Sequence, residues 1–331
     1  MKFIDVLSSL AILAGSAIAA SRTSPPSGAI VVGKSGGKYT NLQAAIDSIS
    51  ADSTASTTIF IQSGTYSGQV SIPVLKGKLV IYGYTTNDQD YTKNEVILTN
   101  TLAASSAGNN DKSATLRVAT NHFSLYNVNV INGYGKGTQE GSQALAISAN
   151  GEFQAFYACS FVGYQDTVYT NKPNQVFKNC HIVGATDIIF GHNGNSWFQQ
   201  CIIDIVGPGF VTASGRSSAD ANWYVINKAK IAAQPGAGDL KASTTLGRPW
   251  RDFARVVVQN SDLGDVIKPD GWSAWNSKPP SNAYFAEYGN TGPGASGKRV
   301  AFAKQLSSAV SIDNIIPGWT SWVDMTYWNS S

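Results

Sequence analysis

Three cysteines recur at a constant interval of 21 residues, and this repeat limits the folds that the chain can adopt. Cys159, Cys180 and Cys201 each follow a phenylalanine by three residues, within a short run of strand-forming residues. A fixed period above about 20 residues is typical of a solenoid, in which each repeat forms one coil. Short strands at this period predict an all-β fold, a single-stranded right-handed parallel β-helix.

The cysteine column extends beyond the three equal repeats. Its members, at intervals of 31, 21, 21, 28 and 32 residues, are Val128, Cys159, Cys180, Cys201, Ala229 and Ser261. We expect this column to face the interior, where free thiols act as small hydrophobes. An odd number of cysteines is consistent with free thiols, although the sequence leaves open a disulfide bridge between one pair. Glycine-rich inserts at 133–142 and 207–220 are predicted to form loops on one flank. The Pro/Gly-rich segment 277–299 is also predicted to be a loop.

The first 19 residues have the pattern of a secretory signal. A lysine at position 2 precedes an apolar stretch, and Ala17 and Ala19 provide a small-x-small cleavage site. We therefore expect an exported, extracellular protein that begins near Ala20 and forms a single domain over 20–331. The apolar stretch is too short to span a bilayer, and no later segment is a candidate.

The open end of a solenoid must be covered, and the N-terminal part of this chain offers a cover. Residues 41–49 have helical spacing, with Thr40 as the expected N-cap, and are predicted to close the N-terminal coil. The last thirty or so residues are predicted to pack back along the outside of the coil.

The chain carries a formal net charge of +3, from 24 Lys and Arg against 21 Asp and Glu. This mildly basic balance tolerates an acidic polymer as a partner. It lacks the dense basic cluster that nucleic-acid binding requires. We expect no nucleic-acid or membrane partner, and a monomer.

Two aspartates share a register position. Asp166 and Asp187 each lie seven residues after a cysteine of the column. Equivalent positions on neighbouring coils stack at about 4.8 Å, so the two carboxyl groups are predicted to lie close together. Such groups resist joint ionisation, and we expect one pKa to rise and the other to fall.

A carboxylate beside a carboxylic acid can serve as a nucleophile or base next to a proton donor. A calcium site is the competing use of paired acids, but it needs more oxygen ligands than this register supplies. From the spacing alone, catalysis and a structural role remain about equally open.

Four ordered blocks of sequence carry a family resemblance. They are Gln143–Ala146, Gly163–Tyr169, Gly184–Gly191 and Leu246–Trp250. In this order they closely resemble motifs of the pectin methylesterase family. Segments 36–46 and 287–295 are similar to the opening and the closing loop of that family, so the resemblance covers most of the mature chain. Ile188 departs from the usual phenylalanine, which changes packing but removes no reactive atom.

The resemblance implies a role for each matched residue. Asp187 would attack the methyl ester carbonyl of a galacturonate unit and form a covalent acyl intermediate. Asp166 would protonate the departing methanol and then activate the hydrolytic water. Gln143 and Gln165 would donate hydrogen bonds to the oxyanion. Arg248 would pair with Asp187 and keep it ionised.

The resemblance also implies how the substrate binds. Trp250 and Trp272 would present faces on which sugar rings stack, and Gln143 and Arg248 would contact the substrate as well. The partner would be pectin, as methyl-esterified homogalacturonan, and no metal or organic cofactor would be needed.

Two other classes of function fit the same architecture. A pectin or pectate lyase, or a polygalacturonase, would cut the polymer, and a lyase would typically need calcium. A β-helical binding or adhesion module would hold the polymer without changing it.

Two further features have ordinary explanations. Residues 33–37 fit the pattern G-x-S-x-G, but the chain lacks the alternating α/β pattern that a nucleophile elbow serves, so a turn is predicted. His122, His181 and His192 have no metal-ligand spacing. His181 follows the interior column and is predicted to point outward, without a catalytic role.

Overall fold

The computed structural model describes residues 20–276 and 279–330, and in these residues the strands form three parallel sheets around one apolar interior. The chain passes from the first sheet to the second and the third, and returns to the first sheet one coil further along. This architecture is a right-handed parallel β-helix, which confirms the predicted fold class. The predicted secretory signal, 1–19, lies outside the described residues, so that prediction stands untested.

Each sheet takes one strand from successive coils. Among the described residues, the first sheet has eleven strands: Ile30–Val32, Thr57–Ile61, Leu79–Gly83, Phe123–Tyr126, Gln154–Tyr157, Pro173–Lys178, Asn195–Gln199, Tyr224–Asn227, Arg255–Gln259, Tyr284–Tyr288 and Ala303–Gln305. The second sheet, in the same ranges, has eight: Gly64–Ser67, Val96–Asn100, Asn129–Asn132, Ser160–Val162, His181–Gly184, Ile202–Ile205, Lys230–Ala233 and Asp262–Leu263. The third, counted likewise, has seven: Val70–Ile72, Leu116–Val118, Ile147–Ala149, Val168–Thr170, Ile189–Gly191, Gly209–Ser214 and Thr244–Pro249.

The 21-residue period corresponds to one complete coil. Phe156 pairs with Phe177, and Phe177 pairs with Phe198, on successive strands of the first sheet. Their rings stack in the interior at centroid distances of 4.5 and 4.6 Å. Aromatic pairs in this range contribute about 0.5–1.5 kcal/mol beyond their buried area, so the repeat stabilises the coil as well as setting its register.

The cysteine column lies inside the coil, as predicted. Cys159, Cys180 and Cys201 are buried free thiols. The Cys180 Sγ lies 3.4 Å from the Phe156 carbonyl oxygen of the preceding coil. Burial raises the pKa of the Cys180 thiol well above its usual range. The thiols therefore fill the interior as small apolar groups.

A helix closes the N-terminal end, although its cap differs from the predicted one. The helix spans Leu42–Asp47, and its apolar face packs on the first coils. Asn41 has an extended backbone, and its side chain accepts a hydrogen bond from the Ala44 amide at 2.9 Å. Asn41 is thus the N-cap, and the prediction of Thr40 is wrong by one residue.

The remaining helical segments are short. In the described residues, the other α-helices are Ala104–Ala107, Asn110–Ser113, Ile312–Ile315 and Met325–Asn329, and the 3₁₀ turns are Tyr91–Lys93, Pro293–Ala295 and Trp319–Ser321. The C-terminal segments pack on the outer face of the first sheet, as predicted. The Asp324 amide, for example, donates to the Tyr157 hydroxyl oxygen at 2.8 Å. No helix within the described ranges combines the length and the apolar character needed to cross a membrane.

Two predicted loops contain strands. The insert 207–220 includes Gly209–Ser214, and the segment 277–299 includes Tyr284–Tyr288. A Cβ atom on Gly209 would lie 2.2 Å from the Ala185 carbonyl oxygen of the neighbouring coil. The glycine therefore permits a close approach between strands rather than a turn. The insert 133–142 contains no helix or strand, as predicted.

Candidate active site

Asp166 and Asp187 occupy the same turn, between the second and third sheets, on successive coils. The Asp166 amide donates to the Thr186 carbonyl oxygen at 3.0 Å. Both aspartates have left-handed backbones, with φ of 63° and 51°, a conformation that Asp and Asn tolerate better than most residues. Both carboxyl groups line one cavity of about 190 Å³. The coil register thus brings together two residues that are 21 positions apart.

Arg248 binds Asp187 through two parallel hydrogen bonds. The arginine Nε donates to Asp187 Oδ1 at 2.8 Å, and Nη2 donates to Oδ2 at 2.7 Å. Arg248 lies on the third sheet opposite Ala213, which in turn lies opposite Phe190. The small side chain of Ala213 leaves room for the arginine to reach across the intervening strand. This bidentate geometry fixes the orientation of the Asp187 carboxylate.

Two aromatic rings hold the Arg248 guanidinium in position. Its central carbon lies 4.0 Å from the ring centroids of Phe210 and of Trp275. Cation–π contacts of this kind contribute about 0.5–2 kcal/mol each. Neither ring was among the predicted site residues.

Asn110 is a further site residue that the sequence analysis missed. Its side-chain amide donates to Asp166 Oδ2 at 2.9 Å, and Asn110 lines the same cavity. It begins the short helix Asn110–Ser113, which is anchored to the third sheet by the Ser148 hydroxyl donating to Asp111 at 2.6 Å. Asn110 thus orients Asp166 and leaves Oδ1 as the oxygen available to the cavity.

The two carboxyl groups differ in how strongly their surroundings disfavour ionisation. Burial, followed by the nearby Asp187 charge, raises the pKa of Asp166 well above its usual range, and Arg248 opposes this only in part. Burial also raises the pKa of Asp187, but the hydrogen bonds and charge of Arg248 counteract it. The expectation that one pKa falls is therefore wrong, because burial acts on both groups. The expected order of ionisation nevertheless holds, since the paired Asp187 ionises first.

Two amide side chains face the same cavity. Gln143 and Gln165 are half-buried and line it beside the aspartates. In the part of the chain that the structure describes, neither side-chain amide has a hydrogen-bond partner. Their N–H groups are therefore available to a bound molecule.

Trp250 lies where the central cavity meets two neighbouring ones. A cavity of about 530 Å³ extends from Trp250 and Trp275 along residues such as Asp252 and Phe253. Another, of about 360 Å³, extends from Trp250 toward Tyr169. The aspartates thus lie between two neighbouring cavities, and together the three cavities form a trough.

Trp272 lies in the interior rather than in the trough, so its predicted stacking on sugar is wrong. It is only 1% exposed, and its ring stacks on Phe285 at a centroid distance of 4.7 Å. Its indole N–H donates to Glu287 at 3.1 Å, and Glu287 also pairs with Arg299. The exposed indole beside the cavity is that of Trp275, at 39%.

Alanine substitutions should separate these two tryptophans. Trp272→Ala should lower the free energy of unfolding by about 3–5 kcal/mol, because it leaves an interior cavity and removes one hydrogen bond to the buried Glu287. Trp275→Ala should lower the free energy of unfolding by less, about 0.5–2 kcal/mol, because it removes one aromatic contact of Arg248. It should also raise KM, because it removes a wall of the cavity. Denaturant unfolding and steady-state kinetics measure both effects. An unfolding free energy that is unchanged in Trp272→Ala would contradict this placement.

The described residues contain no group of three or more His, Cys, Asp or Glu side chains arranged to hold a metal ion. His181 points outward, as predicted, and its ring bonds to Ser160 and Asp204 at 3.0 and 2.9 Å. Ile188 is fully buried, so its departure from the family pattern affects the interior and not the cavity.

Comparison with known proteins identifies the family of this chain. A family model described as Pectinesterase matches residues 29–314. A probable pectinesterase A from Neosartorya fischeri is 46% identical over 92% of this chain and 92% of its own length. A pectinesterase from Aspergillus aculeatus is 44% identical, over 96% and 97%. The crystal structure of the pectin methylesterase from Aspergillus niger in deglycosylated form superposes with a TM-score of 0.87, at 41% identity, over 93% of this chain and 100% of that one. The chain therefore belongs to the pectinesterase family.

Proposed function

We propose that this protein removes methyl groups from the galacturonate esters of pectin, with Asp187 as nucleophile and Asp166 as general acid and base. Membership of the pectinesterase family makes the chain a hydrolase of carboxylic esters. One observation supports the residue assignments most strongly. The carboxylate of Asp187, oriented by Arg248, shares one cavity with Asp166, whose pKa is raised. The same cavity is lined by the amide side chains of Gln143 and Gln165, which have no hydrogen-bond partner among the described residues.

The reaction begins with attack of an Asp187 oxygen on the ester carbonyl carbon. Each oxygen accepts one bond from Arg248 and keeps a lone pair for the new C–O bond. The carbonyl oxygen takes up the negative charge of the tetrahedral intermediate. Gln143 and Gln165 donate to this oxyanion, and each such donor typically contributes about 3 kcal/mol. Uncharged donors suit this task because they do not compete with Arg248 for Asp187.

Collapse of the intermediate breaks the bond to the methoxy group. Asp166 donates its proton to this leaving oxygen, so neutral methanol departs and an anhydride joins Asp187 to the substrate. Because Asn110 occupies Oδ2 of Asp166, the proton is held on Oδ1, on the side of the cavity. The raised pKa of Asp166 favours the protonated form that this step requires.

In the hydrolysis of the anhydride, Asp166 acts as a base instead of an acid, and Asp187 is the leaving group. Asp166, now ionised, removes a proton from water, and the resulting hydroxide attacks the substrate acyl carbon. The anhydride bond breaks, and Asp187 regains its carboxylate beside Arg248. The products are one methanol and one galacturonic acid, whose carboxyl group releases its proton to solvent, and both aspartates return to their starting states.

The trough suits a polymer that extends past the reacting unit. Methyl-esterified homogalacturonan would lie along it, with Trp250 and Trp275 flanking the central sugar. The mildly positive net charge tolerates the carboxylates that the reaction creates. The proposal includes export after removal of residues 1–19 and action as a monomer.

Assay of methanol on highly methylated pectin tests the activity. Methanol should appear without unsaturated uronides and without a change in polymer length. Unsaturated products would identify a lyase, and shorter saturated chains a polygalacturonase. Binding of pectin with none of these products would indicate a non-catalytic module, and each of these three results would overturn the proposal.

A further inference from the structure

The first described residues lie against the coil and are fixed there by backbone hydrogen bonds. Arg22 and Thr85 form an antiparallel bridge, in which each amide donates to the carbonyl of the other, at 2.8 and 3.1 Å. The Asp88 amide donates to the Ala20 carbonyl oxygen at 2.8 Å. Residues 20–22 therefore extend along 85–88, and the position of the Ala20 nitrogen is fixed.

The Ala20 nitrogen points at the carboxylate of Asp88. It lies 3.0 Å from Asp88 Oδ1, while the other oxygen lies 3.6 Å from Arg22 Nη2. Asp88 is only 9% exposed, whereas Ala20 is exposed. A carboxylate with so little contact with water gains more than a surface group from a second cation.

Asp88 also connects distant parts of the chain. Its carbonyl oxygen accepts hydrogen bonds from the Asn127 amide, at 3.1 Å, and from the Tyr327 hydroxyl, at 2.9 Å. Asn127 belongs to the coil and Tyr327 to the C-terminal helix. Asp88 therefore lies where the N-terminal and C-terminal segments both contact the coil, and an ion pair at its carboxylate would stabilise this junction.

We propose that cleavage of the peptide bond between Ala19 and Ala20 creates an α-ammonium group that forms an ion pair with Asp88. The inference rests on the export included in the proposed function. Hydrolysis of this bond consumes one water, leaves a carboxylate on Ala19, and turns the neutral Ala20 amide into a cation. The same nitrogen then makes a charge-assisted hydrogen bond, which is roughly twice as strong as a neutral one. Asp88 is thus a binding site for the N-terminus that this cleavage creates.

The ion pair should depend on pH in a defined direction. Pairing with a carboxylate raises the folded-state pKa of the α-ammonium above its unfolded value of about 7.7–8.0. The stabilisation is therefore complete below that value and is lost as pH rises through the folded pKa. Among the described residues, Arg22 and Tyr327 are the titratable or charged groups that contact Asp88. Arg22 in turn lies over the rings of Tyr82 and Tyr126, and Tyr126 donates to Asp324.

Four proteins test the proposal: a chain that begins at Ala20, the same chain with Gly-Ser added before Ala20, and the Asp88→Asn form of each. At pH 6 the chain that begins at Ala20 should melt about 2 °C above the extended chain. The difference should vanish in the Asp88→Asn pair, and also above about pH 10. Methanol release at 25 °C should be equal for the two chains that retain Asp88, so the outcome is independent of the proposed catalysis.

Mass spectrometry of the protein secreted from the full-length gene supplies a second readout. A mature N-terminus at Ala20 supports the proposal, and any other N-terminus overturns it. Equal melting temperatures of the free and extended chains at pH 6 would also overturn it. So would a difference that persists undiminished after Asp88→Asn.

Discussion

The Asp187→Asn variant should fold and lose methanol release by on the order of 10⁴- to 10⁶-fold, the range seen when a catalytic group of a nucleophilic triad is removed. A neutral amide oxygen attacks an ester far more weakly than a carboxylate does. Asparagine keeps the size of the side chain, tolerates the φ of 51°, and can still accept one hydrogen bond from Arg248. The loss should therefore appear in kcat, measured by methanol release, with circular dichroism confirming the fold.

A matched control is available on the next coil. Asp204 pairs with His181 on the outer face of the second sheet and does not line the cavity. Asp204→Asn removes the same charge by the same chemical change, and it should leave kcat within about twofold. Asp187→Ala is a poorer choice, because alanine tolerates a left-handed backbone less well. A folded Asp187→Asn protein with turnover within tenfold of the wild type would exclude Asp187 as the nucleophile.

The sequence predicts the fold and the aspartate pair because both depend on register. A 21-residue period equals one coil, so equal spacing in the chain becomes stacking in space. For the same reason, Cys180 is expected to stack on Cys159 in space, and Asp187 is expected to stack on Asp166. The outward-pointing His181, next to the column, follows from strand alternation.

Other parts of the site do not follow from register. Asn110 reaches Asp166 across 56 positions, from a short helix in an insert whose length has no relation to the coil period. Trp275 and Phe210 meet at Arg248 from different coils. Contacts that depend on the path of inserts have no periodic signature, so one sequence does not reveal them.

Burial explains two of the wrong predictions. Trp272 forms an isolated bridge with Gly247, outside any regular strand, and its buried ring stacks on Phe285 inside the coil. The sequence around Trp272 therefore shows no strand pattern that would predict this position. The pKa of Asp187 rises because the carboxyl group is enclosed, an effect that residue spacing does not report. Both errors arise because sequence spacing gives the neighbours of a residue but not the amount of water that remains around it.

Asp166→Asn should produce a less active and more stable enzyme. Loss of the general acid and base should lower kcat by about 10²- to 10⁴-fold. Asparagine retains the acceptor for Asn110 and tolerates the φ of 63°, so the fold should be preserved. The variant no longer carries a carboxyl group that burial and Asp187 make costly to ionise. Stability and activity are thus predicted to change in opposite directions at one residue.

The gain in stability should grow with pH. The folded-state pKa of Asp166 lies above the unfolded value of about 3.9, so between these values the folded chain binds more protons than the unfolded chain. Wild-type stability must then fall as pH rises through this window, and the asparagine variant lacks that contribution. Asp187 contributes equally to both proteins and cancels in the comparison. Melting temperatures measured upward from pH 4 should diverge until the pH passes the folded-state pKa of Asp166, with the variant higher. Parallel curves would mean that the Asp166 carboxyl ionises as it does in water, and so is not the proton donor.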